Sequence, residues 1–72
     1  MKKKNKIKIK INGKSLSICQ NWTVGNLIKK LDIRLNKVAI ELNNKIVDKK
    51  RVKKIILNNK DNIEIVHFIG GG

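Results

Sequence analysis

Residues 6 to 11 read Lys-Ile-Lys-Ile-Lys-Ile, and Asn12-Gly13 follows at once. A period of two puts Ile7, Ile9 and Ile11 on one face of an extended strand and Lys6, Lys8 and Lys10 on the other. A helix would scatter the same isoleucines around its circumference. Asn-Gly tolerates the two positive φ angles of a type I′ turn, so the chain reverses direction there. Leu16-Ser17-Ile18-Cys19 alternates again and reads as the returning strand. A hairpin with one apolar face needs an apolar partner laid across it.

The next segment supplies that partner. Thr23 is a good N-cap, and Val24, Leu27, Ile28 and Leu31 follow at the spacing i, i+3, i+4, i+7, which is one apolar stripe on a helix. Asn26, Lys29 and Lys30 fall on the other face. Gly25 in the first turn costs about 1 kcal/mol relative to alanine, which packing outweighs. Trp22 stands just ahead of the cap, where it staples against the first turn.

Val38-Ala39-Ile40-Glu41-Leu42 alternates as a third strand, Asn43-Asn44 reads as a turn, and Lys45-Ile46-Val47 as a short strand. Residues 48 to 57 are polar as far as Lys54 and then turn apolar at Ile55-Ile56-Leu57, a helical turn leading into a buried segment. Asn58 to Asp61 is a loop by composition, and Ile63 to Phe68 is the last strand. The order is β-β-α-β-β-β. The favoured right-handed connection carries the helix to a strand parallel to the first, and the last strand lies beside the first in the sheet centre. This α+β arrangement, a mixed sheet with one main helix across it, is the β-grasp fold familiar from ubiquitin. It assigns residues 1–69 to one domain, with 1–5 a flexible basic overhang, and 70–72 to a flexible glycine tail.

Composition bounds the chemistry. Thirteen isoleucines and only two aromatic residues, Trp22 and Phe68, make the core aliphatic. A chain of 72 residues buries about 60% of the surface its unfolded form exposes, which leaves no room for a cleft between lobes. One histidine, one cysteine and five scattered carboxylates (Asp32, Glu41, Asp48, Asp61, Glu64) form no acid–base pair and no metal-ligand set. No glycine-rich loop joins a strand to a helix, so no phosphate cradle is visible. Catalytic residues, a metal site and a bound cofactor are therefore not expected. Cys19 reads as a small filler on the sheet and His67 as a strand residue.

A single cysteine forms no internal disulfide. The basic Met1-Lys2-Lys3-Lys4 is not followed by the apolar stretch of a signal peptide, and no run approaches the ~20 apolar residues of a membrane span. A soluble, cytoplasmic protein is expected.

The net charge is 18 − 5 = +13. Lysine, asparagine and isoleucine account for 39 of the 72 residues, the trio that AT-rich coding favours, so the charge reads first as solvated faces. A nucleic-acid-binding module is the rival from another class, with Lys6, Lys8, Lys10, Lys49, Lys50, Arg51, Lys53 and Lys54 neutralising phosphates. Sequence-specific RNA binders usually add stacking aromatics, and Trp22 and Phe68 are too few and too far apart.

The end of the chain carries more information. Gly70-Gly71-Gly72 comes directly off the last strand. Three residues without Cβ present only backbone, so such a tail can thread a channel too narrow for any side chain. It can thereby deliver the α-carboxylate of Gly72, ionised at neutral pH with a reference pKa of about 3.3–3.7, into another protein's active site. There it can attack a nucleotide's α-phosphorus. If Ile63 and Ile65 face the helix, Val66 and Phe68 face the open side of the sheet, joined by Ala39 from the neighbouring strand. Exposed apolar groups beside a reactive terminus mark a partner-binding face.

The helix Thr23-Val24…Leu27-Ile28…Leu31, the strand Val38-Ala39-Ile40-Glu41-Leu42-Asn43 with Ile46-Val47 after it, and the end Ile65-Val66-His67-Phe68-Ile69-Gly70-Gly71-Gly72 resemble the ThiS family, the sulfur carriers of thiamine thiazole biosynthesis. The resemblance covers residues 6 to 72, and the aliphatic-x-Gly-Gly end is its most specific element. It implies a carrier protein, not an enzyme. A ThiF-like partner similar to the ubiquitin-activating E1 adenylates Gly72 with its own ATP and magnesium. A cysteine-desulfurase relay supplies sulfur that replaces AMP as a thiocarboxylate, and a ThiG-like thiazole synthase accepts it. Gly70 and Gly71 are the thin tail inside the partners' channels. The lysine-rich start and the charge of +13 depart from the family's usual pattern. The small subunit of molybdopterin synthase shares the thiocarboxylate chemistry and is the nearest alternative, although such chains tend to be longer and differ before the glycines.

Overall fold

The computed structural model describes residues 5–68. The basic overhang, Asn5 apart, and the glycine tail therefore lie outside the described residues. The elements are β1 (Lys6–Ile11), β2 (Lys14–Cys19), α1 (Val24–Lys30), β3 (Val38–Leu42), β4 (Lys45–Ile46) and β5 (Asn62–His67), with 3-10 turns at Leu35–Lys37 and Lys49–Arg51. The strands form one mixed sheet in the order β2-β1-β5-β3-β4, and α1 packs across it. This is the expected β-grasp architecture.

The N-terminal hairpin has the expected register, with Ile9 opposite Leu16 and Ile7 opposite Ile18. Asn12 and Gly13 take φ of 49° and 85°, as a type I′ turn requires. β5 lies parallel to β1 and antiparallel to β3, which places the last strand at the sheet centre. One expectation fails. β3 runs antiparallel to β1 and parallel to β2, not parallel to the first strand. The helix leaves from β2, and a crossover preserves the direction of the strand it leaves.

Both ends of α1 are closed by residues close in sequence and by one distant segment. Thr23 Oγ1 accepts the Asn26 N–H at 3.1 Å, while Asn26 Oδ1 accepts the Thr23 N–H at 2.8 Å, a capping box with asparagine in its third position. The Val24 and Gly25 N–H groups donate to the carbonyls of Ile55 and Val52, each at 2.9 Å. The orphan donors of the first turn are thereby satisfied. At Gly25 a Cβ would stand 3.4 Å from the Val52 carbonyl oxygen, an ordinary van der Waals contact. At the other end Asp32 takes φ of 56°. The N–H groups of Asp32 and Ile33 donate to the carbonyls of Lys29 and Ile28, completing a Schellman motif around a non-glycine residue.

The sequence left residues 48 to 57 least defined. Asp48 caps one 3-10 turn by accepting the Lys50 N–H at 3.0 Å. Val52 and Leu57 are buried, whereas Ile56 points outward, 53% exposed. The Ile55-Ile56-Leu57 run is thus only partly interior. It runs alongside the entry to α1, where Thr23 and Ile56 form an antiparallel bridge.

The buried core is wholly aliphatic. Ile9, Ile18, Val38, Ile40, Ile63 and Ile65 come from the sheet, Val24, Leu27 and Ile28 from the helix, and Val47, Val52 and Leu57 from the connections. Trp22 is half-buried against its margin, in keeping with its place before the cap.

Candidate functional site: an apolar face at the end of the central strand

With Ile63 and Ile65 turned into the core, Glu64 and Val66 emerge on the open face of β5. Val66 is 57% exposed and Phe68 54%, so Phe68 does not fold back over the core. Ala39 sits opposite Val66 in the β3–β5 register and is half-buried. Sequence reasoning therefore located all three residues on one face. It missed Ile46, which pairs with Glu41 on that same face and is the most exposed large apolar residue, at 78%. The alternation of β3 carried that signal, because Ala39 and Glu41 share a face and the tight Asn43-Asn44 turn returns Ile46 beside Glu41.

Three contacts hold this end of β5. The Phe68 N–H donates to the Lys37 carbonyl at 2.9 Å, extending the pairing with β3 past His67. Lys49 Nζ lies 5.1 Å from the centroid of the Phe68 ring, within cation–π range. The third contact comes from the hairpin turn. β1 pairs with β5 only through Lys10–Asn62 and Ile11–Ile63 before it turns away. Beyond that point the side chain of Asn12 takes the place of backbone. Its Oδ1 accepts the Ile65 N–H at 2.8 Å and its Nδ2 donates to the Ile65 carbonyl at 3.2 Å. The β3–β4 turn is built alike. Asn43 at φ 51° accepts the Asn62 N–H at 2.9 Å and donates to Asp61 Oδ1 at 2.9 Å.

Cys19 is free and half-buried on the open face, opposite Lys6. His67 is exposed at the end of β5. Neither is brought beside the other. Gly70, Gly71 and Gly72 lie outside the described residues. No helix among the described residues is long and apolar enough to cross a membrane.

Comparison with known proteins fits this geometry. A profile of the ThiS family matches residues 3–72. The chain belongs to the ThiS family. ThiS is a small sulfur carrier protein of thiamine biosynthesis rather than an enzyme. The chain is 34% identical over 65 residues to the sulfur carrier protein ThiS of Bacillus subtilis, covering 89% of this chain and 98% of that one. It is also 39% identical over 66 residues to a thiazole synthase of Paramagnetospirillum magneticum. That match takes in 92% of this chain but only 20% of the synthase, so the chain spans about a fifth of such relatives. Among solved structures, the crystal structure of the thiamine biosynthesis protein ThiS from Geobacter metallireducens superposes with a TM-score of 0.80. It covers 92% of this chain and 100% of that one at 23% identity, a likeness of fold.

Proposed function

We propose that this carrier holds sulfur as a thiocarboxylate on Gly72, made and consumed by partner enzymes that dock on the Val66–Phe68 face. The carboxylate of Gly72 attacks the α-phosphorus of ATP in a ThiF-like activating enzyme, and pyrophosphate leaves. The resulting acyl-adenylate is electrophilic where the free carboxylate was not. The terminal persulfide sulfur of a cysteine-desulfurase relay then displaces AMP to form an acyl disulfide. A second thiol attacks the relay's own sulfur, so that the S–S bond breaks, the thiocarboxylate leaves and the two thiols end as a disulfide. ATP and magnesium belong to the activating enzyme. A ThiG-like thiazole synthase takes the sulfur, a reading supported by the relatedness of this chain to part of thiazole synthases.

Family membership across residues 3–72 carries this reading, and the exposed face adds a physical reason. Gly72 stands four positions beyond Phe68, a reach of at most about 14 Å. A partner that binds Val66 and Phe68 therefore has its active site within that distance of the contact. Gly70 and Gly71 leave the approach free of side chains. ATP–pyrophosphate exchange catalysed by the activating enzyme tests the first step. Exchange should depend on this chain and vanish when one residue is appended after Gly72. Undiminished exchange with the extended chain would refute adenylation at Gly72.

A further inference from the structure

β1 projects Lys6, Lys8 and Lys10 from the open face of the sheet, about 6.6 Å apart along the strand. Their cross-strand neighbours on β2 are Cys19, Ser17 and Ser15, none of them acidic. On the other side the loop before β5 brings a fourth cation alongside. The Lys60 N–H donates to the Lys8 carbonyl at 2.7 Å, the Lys8 N–H donates to Asn59 Oδ1 at 2.8 Å, and the Lys10 N–H donates to the Asp61 carbonyl at 2.9 Å. Lys60 takes φ of 74°, an uncommon conformation for a long side chain. Lys8, Lys10 and Lys60 line one open hollow of about 800 Å³ with Ser15, Asn59 and Asn62.

Asp61, next in sequence to Lys60, does not answer this charge. It is buried, its Oδ1 accepting from Asn43 Nδ2 and its Oδ2 from the Asn58 N–H. Glu64 is the one carboxylate that also lines the hollow. Lysines about 6.6 Å apart along one strand lie within the screening length of about 8 Å at physiological ionic strength, so they repel one another. Coding bias explains how many lysines the chain has. It does not explain why four gather on the one face that also carries Val66 and Phe68, while the nearby aspartate turns inward. Glu64 offsets one of the three lysines that line the hollow, and the excess of positive charge left over marks a surface built for something outside the chain.

We propose that the Lys6, Lys8, Lys10 and Lys60 cluster binds an acidic segment of the enzyme that activates this carrier, forming the charged half of a docking surface whose apolar half is Val66 and Phe68. This rests on the carrier reading above. The shared face makes one partner able to cover both halves. Acidic residues alternating along an extended segment repeat at the same spacing as the lysines of β1. The occupant is a protein and not a single-stranded nucleic acid, because the lysine half of the face offers serines and a cysteine where base stacking would need aromatics. Such a cluster accelerates encounter and suppresses wrong partners.

The test compares two triple variants of equal charge. One is Lys6→Gln, Lys8→Gln and Lys10→Gln. The other, on the helix side, is Lys29→Gln, Lys30→Gln and Lys53→Gln. Binding to the ThiF-type activating enzyme of the same organism is measured between about 50 and 200 mM salt, a range over which multi-contact charge pairing weakens strongly. The β1 variant should bind about tenfold more weakly at the low end and lose most of its salt dependence, while the helix-side variant stays within about twofold. Equal weakening of both variants, no weakening of the β1 variant, or no binding of the wild-type chain at low salt overturns the proposal. So does tighter binding of an oligothymidine probe than of the enzyme at the same salt. The carrier reading fails separately, through absence of adenylation at Gly72 when the enzyme is saturating, whatever the lysine variants show.

Discussion

Replacing Asn12 with glycine separates two jobs held by one residue. The turn needs positive φ at this position, 49° here, and glycine adopts it freely. Glycine has no amide to pair with Ile65, so the bonds of 2.8 and 3.2 Å disappear while the hairpin keeps its geometry. Each such bond is worth about 0.5–1.5 kcal/mol net, and a donor or acceptor left unpaired in a buried site costs about 1–3 kcal/mol. Asn12 is itself exposed, so water reaches part of the vacated space and the lower range applies. The expected loss is about 2 kcal/mol. For a domain of this size that lowers the melting temperature by roughly 8–16 °C. Circular dichroism melting and urea titration read the loss, and amide exchange localises it. The Ile65 amide should lose protection, while the amide of Leu27 in α1 changes only by the drop in global stability. An unchanged melting temperature, or an Ile65 amide protected as in the wild type, would refute the reasoning that this side chain stands in for a missing strand.

Asp32→Gly should raise stability by about 0.5–1 kcal/mol, because glycine adopts the left-handed C′ conformation without penalty and a negative charge leaves the C-terminal end of α1; a higher urea midpoint with unchanged slope is the readout. Phe68→Ala should weaken binding to the activating enzyme about tenfold as an exposed aromatic anchor is lost, with a stability change below about 1 kcal/mol because Phe68 lies outside the core. An unchanged dissociation constant removes Phe68 from the interface.

What could be read in advance divides along physical lines. The β1–β2 hairpin and the stripe of α1 rest on periodicity and on turn residues with strict φ requirements, both local properties of the chain, and both are found where expected. The face carrying Val66, Phe68 and Ala39 followed from alternation once Ile63 and Ile65 were assigned inward. Direction across the crossover was misread because the helix was counted from β1 and not from β2, the strand it leaves. Residues 52 to 57 resisted reading because their shape answers a tertiary demand. Two of their carbonyls receive the first N–H groups of α1, and nothing in the local pattern announces that. The second roles of Asn12 and Asn43 were equally hidden. Each turn asparagine satisfies its own backbone preference and then reaches across the fold to β5 or to the loop before it, a contact that only the assembled sheet creates.

The central claim is that the last carboxylate of this chain becomes a thiocarboxylate. Intact mass spectrometry, after incubation with the activating enzyme, ATP, magnesium and a cysteine-desulfurase sulfur source, addresses it directly. The account expects a mass gain equal to one sulfur minus one oxygen, confined to the C-terminal fragment containing Gly72 and absent when ATP is omitted. A chain that stays at its original mass with an enzyme proven active on its own carrier, or sulfur found on Cys19 instead, would contradict it.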